Sequence, residues 1–214
     1  MWAYSRSGCS FSKEGPAAVD AVQRAGGSAK IFLDLKFHDI PATVKGAYAS
    51  ASRLGAEFVT VHCDEGKDLL RAVVEAGGGR TKVLGITVLT SLAAGDLGPL
   101  GFREEFQKDL GLLAVSRARL AREAGCSGVV CSGKEAARIK QELGPDFLVV
   151  TPGIRPAWSL VAGDDQKRVT TAADAVKAGA DYIVIGRPIR DAKDRAEAAR
   201  RVAQEIEEAL YGKG

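Results

Sequence analysis

The chain has 214 residues, 46% of them hydrophobic and 27% charged, enough apolar material to bury the core of one globular domain spanning residues 1–214. Its net charge is +3 and its basic and acidic residues are interleaved, which argues against a nucleic-acid surface. No stretch approaches the ~20 apolar residues of a membrane span, the N-terminus has no apolar signal core, and Cys9, Cys63, Cys126 and Cys131 lack C-x-x-C spacing, so a soluble cytoplasmic protein with reduced cysteines is expected.

Met1 to Ser12 (MWAYSRSGCSFS) mixes small polar residues, an arginine and large aromatics without periodicity, so it predicts no element, and residues 1–10 stand out as an atypical segment. Pro16, suited to a first helical turn, opens a helix closed by Gly26 and Gly27. The stretch around which the chain is organised follows, Ile31 to Thr43 (IFLDLKFHDIPAT). Ile31, Phe32 and Leu33 read as a buried strand that gives way to a loop at Pro41. Thr43 to Leu54 predicts a helix and Phe58 to His62 a strand. The alternation then continues with a helix over Lys67 to Ala76, a strand over Val83 to Thr87 and a loop over Gly95 to Gly101. After a helix over Phe106 to Ala124 come the strand Gly128 to Cys131, the helix Lys134 to Leu143 and the strand Phe147 to Val150. A helix over Thr170 to Ala178, a strand over Tyr182 to Ile185 and a long helix over Asp191 to Leu210 complete the chain.

Six short apolar strands alternating with helices predict an α/β fold with a parallel sheet and right-handed crossovers. An open dinucleotide-binding sheet would carry G-x-G-x-x-G after its first strand, and none is present. Polar groups instead gather at the ends of successive strands: Asp34 and Lys36, His62, Thr87 to Ser91, Arg155, and Gly186 with Arg187. That distribution favours a closed TIM (β/α)₈ barrel, whose working residues sit at the C-terminal strand ends.

Side chains two apart on a strand share a face, so Asp34 and Lys36 should point the same way, with Asp39 following in the loop. A lysine between two carboxylates is either a structural ion-pair network or a charged catalytic group. Gly186-Arg187-Pro188 directly after the last strand, together with Gly153 and Arg155, suits phosphate, because glycine admits backbone N–H groups to an anion and arginine offers a two-pronged donor. The loop from Ala157 to Arg168 is long enough to fold over a ligand, with Gln166 as a contact. Thr90 and Ser91 offer hydroxyls, whereas His62 could serve as an acid or base but reads first as a satisfied histidine of the core or of the site's supporting layer. His38 and His62 are not spaced with carboxylates in a known ligand pattern, so neither a metal nor a cofactor is expected.

The segments DLKFHDIPAT (Asp34 to Thr43), TVLTS (Thr87 to Ser91), TPGIRP (Thr151 to Pro156), G-D-x-Q (Gly163 to Gln166) and VIGRPI (Val184 to Ile189) resemble bacterial orotidine 5'-phosphate decarboxylases in order and spacing from about Phe11 onward. The resemblance implies a homodimeric TIM barrel that converts orotidine 5'-monophosphate to uridine 5'-monophosphate and CO₂ in pyrimidine biosynthesis. Carried over by motif, Lys36 is the proton donor to C6 of the pyrimidine, Asp34 lies beside the departing carboxylate and Asp39 reaches into the partner subunit's site. The substrate is held by the run Asp34, Leu35, Lys36, Phe37, His38, Asp39, Ile40, Pro41, Ala42 and Thr43. Thr90 contacts the base, Arg155, Gly186 and Arg187 the phosphate region, and Gln166 belongs to the closing loop.

The sequence also departs from the family. The first strand and helix of the barrel are expected to be missing and the second strand altered, with a network lysine expected near Ser5, so the chain reads as truncated at its N-terminus. Ala42 stands where asparagine is expected, and Cys63-Asp64-Glu65-Gly66 where a glycine-rich turn is expected. Two other readings share the pattern: a sugar-phosphate decarboxylase such as that for 3-keto-gulonate 6-phosphate, which shares D-x-K-x-x-D and would need Mg²⁺, and an inactive homologue that binds nucleotide or dimerises without turnover.

Overall fold

The computed structural model describes residues 3–7, 15–25, 30–159 and 167–212. The chain forms two compact units, residues 1–86 with 120–128, and residues 87–119 with 129–214.

In the first unit strand and helix alternate as β1 (Ala3–Ser7), α1 (Pro16–Ala25), β2 (Lys30–Phe37), α2 (Pro41–Arg53), β3 (Phe58–His62), α3 (Lys67–Ala76) and β4 (Lys82–Ile86). The strands lie side by side in chain order, and each pairing is parallel. β1 corrects the expectation of no element before Ser12. Its backbone pairs Ser5 with Phe32 and Ser7 with Asp34, a ladder made by the neighbouring strand rather than by any alternation in β1 itself. The other strands are apolar because both faces are covered: Val59, Val61 and Leu84 are buried, as are Leu70 and Val73 on α3. Phe32 and Phe58 meet edge to face with centroids 6.1 Å apart. Helix α2 starts at Pro41, two residues before the expected start at Thr43, because proline's missing N–H costs nothing in a first turn. Tyr48 of α2 is buried and donates its hydroxyl to the Thr81 carbonyl at 2.6 Å, while Thr81 Oγ1 donates to the Ala56 carbonyl at 2.9 Å. Gly77 is required there, since a Cβ would collide with the Tyr48 hydroxyl.

The second unit carries α4 (Glu104–Lys108), α5 (Leu110–Glu123, whose last turn belongs to the first unit), β5 (Gly128–Val130), α6 (Gly133–Leu143), β6 (Leu148–Thr151), α7 (Ala172–Lys177), β7 (Tyr182–Ile183), α8 (Arg187–Arg190) and α9 (Arg195–Tyr211). β5, β6 and β7 neighbour one another in that order. The single helix expected over Phe106 to Ala124 is broken at Asp109, whose extended backbone lets its carboxylate accept the Gly111 N–H at 2.9 Å. Phe106, Leu110, Leu113 and Ala114 close over Val88 and Leu97 as a local core. The terminal helix begins at Arg195, capped by Asp194, and not at Asp191.

Ser132 caps α6 in a reciprocal box, its main-chain N–H bonding Glu135 Oε2 at 2.9 Å and its hydroxyl accepting from Lys134 at 3.3 Å. Glu135 also pairs with Arg168 at 2.6 Å, both side chains being buried. Burial raises the Glu135 pKa, and Arg168 opposes that shift. Cys63, Cys126 and Cys131 are buried and form no disulfide, and burial pushes the Cys126 thiol up to about 12 and Cys131 higher still. Among the described residues no helix is long and apolar enough to cross a membrane.

Two outcomes follow from this packing. Glu135→Ala strands the Arg168 guanidinium in the interior and should destabilise the protein by ~3–5 kcal/mol, against about 1–3 kcal/mol for Tyr48→Phe, both read from urea unfolding. Mass mapping after iodoacetamide at mildly alkaline pH should find Cys126 and Cys131 unmodified in the folded chain and alkylated once it is unfolded.

Candidate active site

The end of β2 is where the strand stops being regular. Leu33 pairs with Val59 but Phe37 pairs with Val61, so β2 takes four steps where β3 takes two. The surplus forms a bulge, a device that re-aims side chains. At its centre Lys36 has φ +51°, the one positive φ of a non-glycine among the described residues, a conformation that costs of order 1–3 kcal/mol unless its surroundings hold it. Thr60 on β3, with no exposed surface, supplies that hold. Its Oγ1 accepts the Lys36 main-chain N–H at 2.9 Å and donates to Asp34 Oδ1 at 3.0 Å. The other carboxylate oxygen, Asp34 Oδ2, lies 2.5 Å from Lys36 Nζ. Asp34 and Lys36 therefore meet as their spacing implied, though through a bulge. The Lys36 side chain keeps 39% of its surface exposed, leaving its ammonium open to a ligand.

The other carboxylate expected on Lys36 is not there within this chain. Asp39 is exposed, and its Oδ1 accepts the N–H of Ile40 at 2.7 Å. Leu35 and Phe37 are half-buried, His38 and Ile40 are exposed, and Pro41, Ala42 and Thr43 form the exposed first turn of α2.

A second cluster adjoins this segment. The His38 ring stacks on His62 with centroids 4.7 Å apart and planes inclined by 25°. His38 Nε2 lies 3.0 Å from Glu65 Oε1 and 3.9 Å from Asp64 Oδ1, and His62 Nδ1 lies 3.4 Å from Asp64 Oδ1. His62, 14% exposed, is thus engaged in a polar group beside the segment that carries Lys36. Spacing along the chain showed no ligand pattern for the two histidines, and the fold sets His38, 24 positions away, beside His62 and Asp64.

In the second unit, the Thr87 to Ser91 loop is held from three directions. Thr87 Oγ1 donates to the Val130 carbonyl at 2.9 Å, and Arg117 Nη1 donates to the Thr87 carbonyl at 2.6 Å. Arg168 Nη2 donates to the Val88 and Leu89 carbonyls at 2.8 and 3.0 Å, and Lys167 N to the Thr90 carbonyl at 3.2 Å. Thr90 is 8% exposed and Arg155 6%. Arg155 follows Gly153, whose φ is +74°, and its Nη1 donates to the carbonyl of Ile154 at 3.0 Å. Gly186 is exposed and precedes the short helix α8, which Arg187 opens. Gln166 lies outside the described residues.

Sequence reasoning missed Thr60, Glu135, Arg117 and Arg168. Thr60 left a trace, a polar residue inside the apolar strand FVTVH. Glu135 left another as the end of S-x-x-E. The two arginines left none, since their partners are distant in the chain: a main-chain carbonyl for Arg117, and carbonyls with the Glu135 carboxylate for Arg168.

Comparison with known proteins places this arrangement. The sequence profile of the Orotidine 5'-phosphate decarboxylase / HUMPS family matches residues 10–202. The orotidine 5'-phosphate decarboxylase of Desulfosudis oleivorans is 46% identical over 200 residues, covering 94% of this chain and 80% of that protein. That of Geobacter metallireducens is 48% identical, covering 92% and 81%. The crystal structure of orotidine 5'-phosphate decarboxylase from Lactobacillus acidophilus matches with a TM-score of 0.73 at 34% identity, over 90% of this chain and 81% of that one. An uncharacterized conserved protein from Geobacillus kaustophilus matches with a TM-score of 0.74 at 35% identity, over 92% and 84%. The fold class is accordingly α/β, that of the TIM barrel, and the parallel β/α alternation, the D-x-K-x-x-D segment and the G-R-P turn have one common account: the chain belongs to the orotidine 5'-phosphate decarboxylase / HUMPS family.

Proposed function

We propose that this chain decarboxylates orotidine 5'-monophosphate to uridine 5'-monophosphate and CO₂, a step of pyrimidine biosynthesis. The observation that carries the reading is the Asp34–Lys36–Thr60 network, an ammonium group fixed by a carboxylate and by its own strained backbone. Loss of CO₂ breaks the bond between C6 and its carboxylate and leaves the electron pair on C6. The Lys36 ammonium stabilises that charge and then delivers a proton to C6, so the reaction needs no electron sink beyond the enzyme. Because Lys36 is already oriented by Asp34 and Thr60, little reorganisation accompanies charge development. Asp34 lies beside the departing carboxylate, so the like-charge contact is relieved as CO₂ leaves.

In this reading the phosphate is taken by Arg155, Gly186 and Arg187, the base edge by Thr90, and Gln166 belongs to the loop that closes over the ligand. Leu35, Phe37, His38, Ile40, Pro41, Ala42 and Thr43 complete the substrate-contacting run. Phosphate binding far from C6 supplies energy for holding the reacting end in place. The exposed Asp39 carboxylate and the neighbouring Ile40, 66% exposed, support a homodimer in which Asp39 acts in the partner's site. A cytoplasmic location and operation without a cofactor go with this reading.

The test is the loss of orotidine 5'-monophosphate ultraviolet absorbance with the purified chain. Lys36→Ala should lower kcat/KM by about 10³-fold or more. Thr60→Val should act mainly on kcat, by ~10-fold to 100-fold, since it loosens the ammonium without touching the phosphate. Arg187→Ala should act mainly on KM. A folded chain without turnover, or equal activity in Lys36→Ala, would overturn the reading.

A further inference from the structure

Of the group formed by His38, His62, Asp64 and Glu65, only His38 belongs to the substrate-contacting run proposed above, and His62, Asp64 and Glu65 have no part in it. The group's members come from the last residue of β3 and the loops that follow two adjacent parallel strands, whose register pairs Phe37 with Val61 and so sets His38 beside His62. One donor atom from each of His38, His62 and Asp64 lies within 4.8 Å of the others. A tetrahedral ion with nitrogen and oxygen ligands at ~2.0–2.2 Å needs its donors about 3.3–3.5 Å apart. The observed separations are 3.4 Å for His62 Nδ1 to Asp64 Oδ1, 3.0 Å for His38 Nε2 to Glu65 Oε1 and 3.9 Å for His38 Nε2 to Asp64 Oδ1. His62 and Asp64 already stand at that spacing, and His38 would reach it by a small movement of its exposed side chain, whereas Glu65 faces His38 and is not among the donors that lie within 4.8 Å of one another.

The donor chemistry narrows the ion. Two imidazoles with carboxylates suit Zn²⁺ or Co²⁺, whereas Mg²⁺ and Ca²⁺ prefer all-oxygen shells. The Glu65 carboxylate, whose Oε1 lies 3.0 Å from His38 Nε2, adds negative charge beside the set and so favours a cation there.

We propose that His38, His62 and Asp64, with the Glu65 carboxylate beside them, form a binding site for a divalent transition-metal ion of the Zn²⁺ class. An ion held there ties the loop after β2, which carries Asp39, to the loop after β3. The proposal does not depend on the decarboxylase reading, because binding is measured directly.

Calorimetric titration of the metal-stripped full chain with ZnCl₂ should show saturable binding of one ion. CoCl₂ should give the intense visible absorption of a four-coordinate site, and thermal unfolding should move to higher temperature with either metal. His38→Gln and Asp64→Asn, both at exposed positions, should each weaken Zn²⁺ binding by about tenfold or more. Their circular dichroism and metal-free unfolding serve as controls for folding. Absence of saturable Zn²⁺ binding to the folded parent chain would overturn the proposal. So would unchanged affinity in both variants, which would move the ion to the cysteines, or displacement of Zn²⁺ by equimolar MgCl₂, which would remove the argument from donor chemistry.

Discussion

The hydroxyl of Thr60 holds two things at once: the backbone of Lys36 in a left-handed conformation and the carboxylate of Asp34 against the lysine's ammonium. Without the bulge in β2, Lys36 would continue an ordinary strand and its amide would belong to the ladder with β3. With it, that amide bonds a side chain, and the ammonium returns to a residue two positions earlier. The strain at Lys36 is small beside the whole of folding but large beside the differences that decide a rate. It is tolerated because β3 is buried and immobile on both faces, so the bond that balances it sits on a rigid element.

The second unit solves a comparable problem with charge. The Thr87 to Ser91 loop presents main-chain carbonyls that no strand satisfies, and Arg117 and Arg168 satisfy them. Burying the Arg168 guanidinium requires a counter-charge, which Glu135 provides from the first turn of α6. Glu135 thereby serves its own helix cap and the Thr87 to Ser91 loop together. The cost of desolvating the carboxylate appears as its raised pKa. Such a pair contributes less to net stability than to fixing one arrangement of the loop, since either partner alone would be an uncompensated buried charge.

The histidine cluster shows how a neighbouring strand can build a polar group out of residues with ordinary individual explanations. His38 is a loop residue, His62 a strand end, and Asp64 and Glu65 belong to a turn. Parallel pairing of β2 with β3 stacks the two rings and turns both carboxylates toward them. Its position next to Asp39 and Lys36 means that anything bound there acts on the same short segment as the chemistry.

Much of this was legible in the chain itself. The alternation of short apolar strands with helices follows from local periodicity, and the motifs at Asp34 to Thr43 and Val184 to Ile189 carry the family, because both are properties of contiguous residues. The helix starts at Pro41 and after Ser132 carried local signals too, a first-turn proline and a capping box, though the expected starts were Thr43 and Lys134. Tertiary structure decided the remainder. β1 is a strand only because β2 offers it a ladder, Asp109 breaks a helix that periodicity would continue, and Asp39 bonds Ile40 where spacing suggested Lys36. The bulge at Lys36, the Thr60 bridge, the Glu135–Arg168 pair and the histidine cluster join residues 24 to 33 positions apart. A sequence read along its length gives the order of such residues, whereas distance across a sheet depends on register, and register is set by how the whole buried face packs.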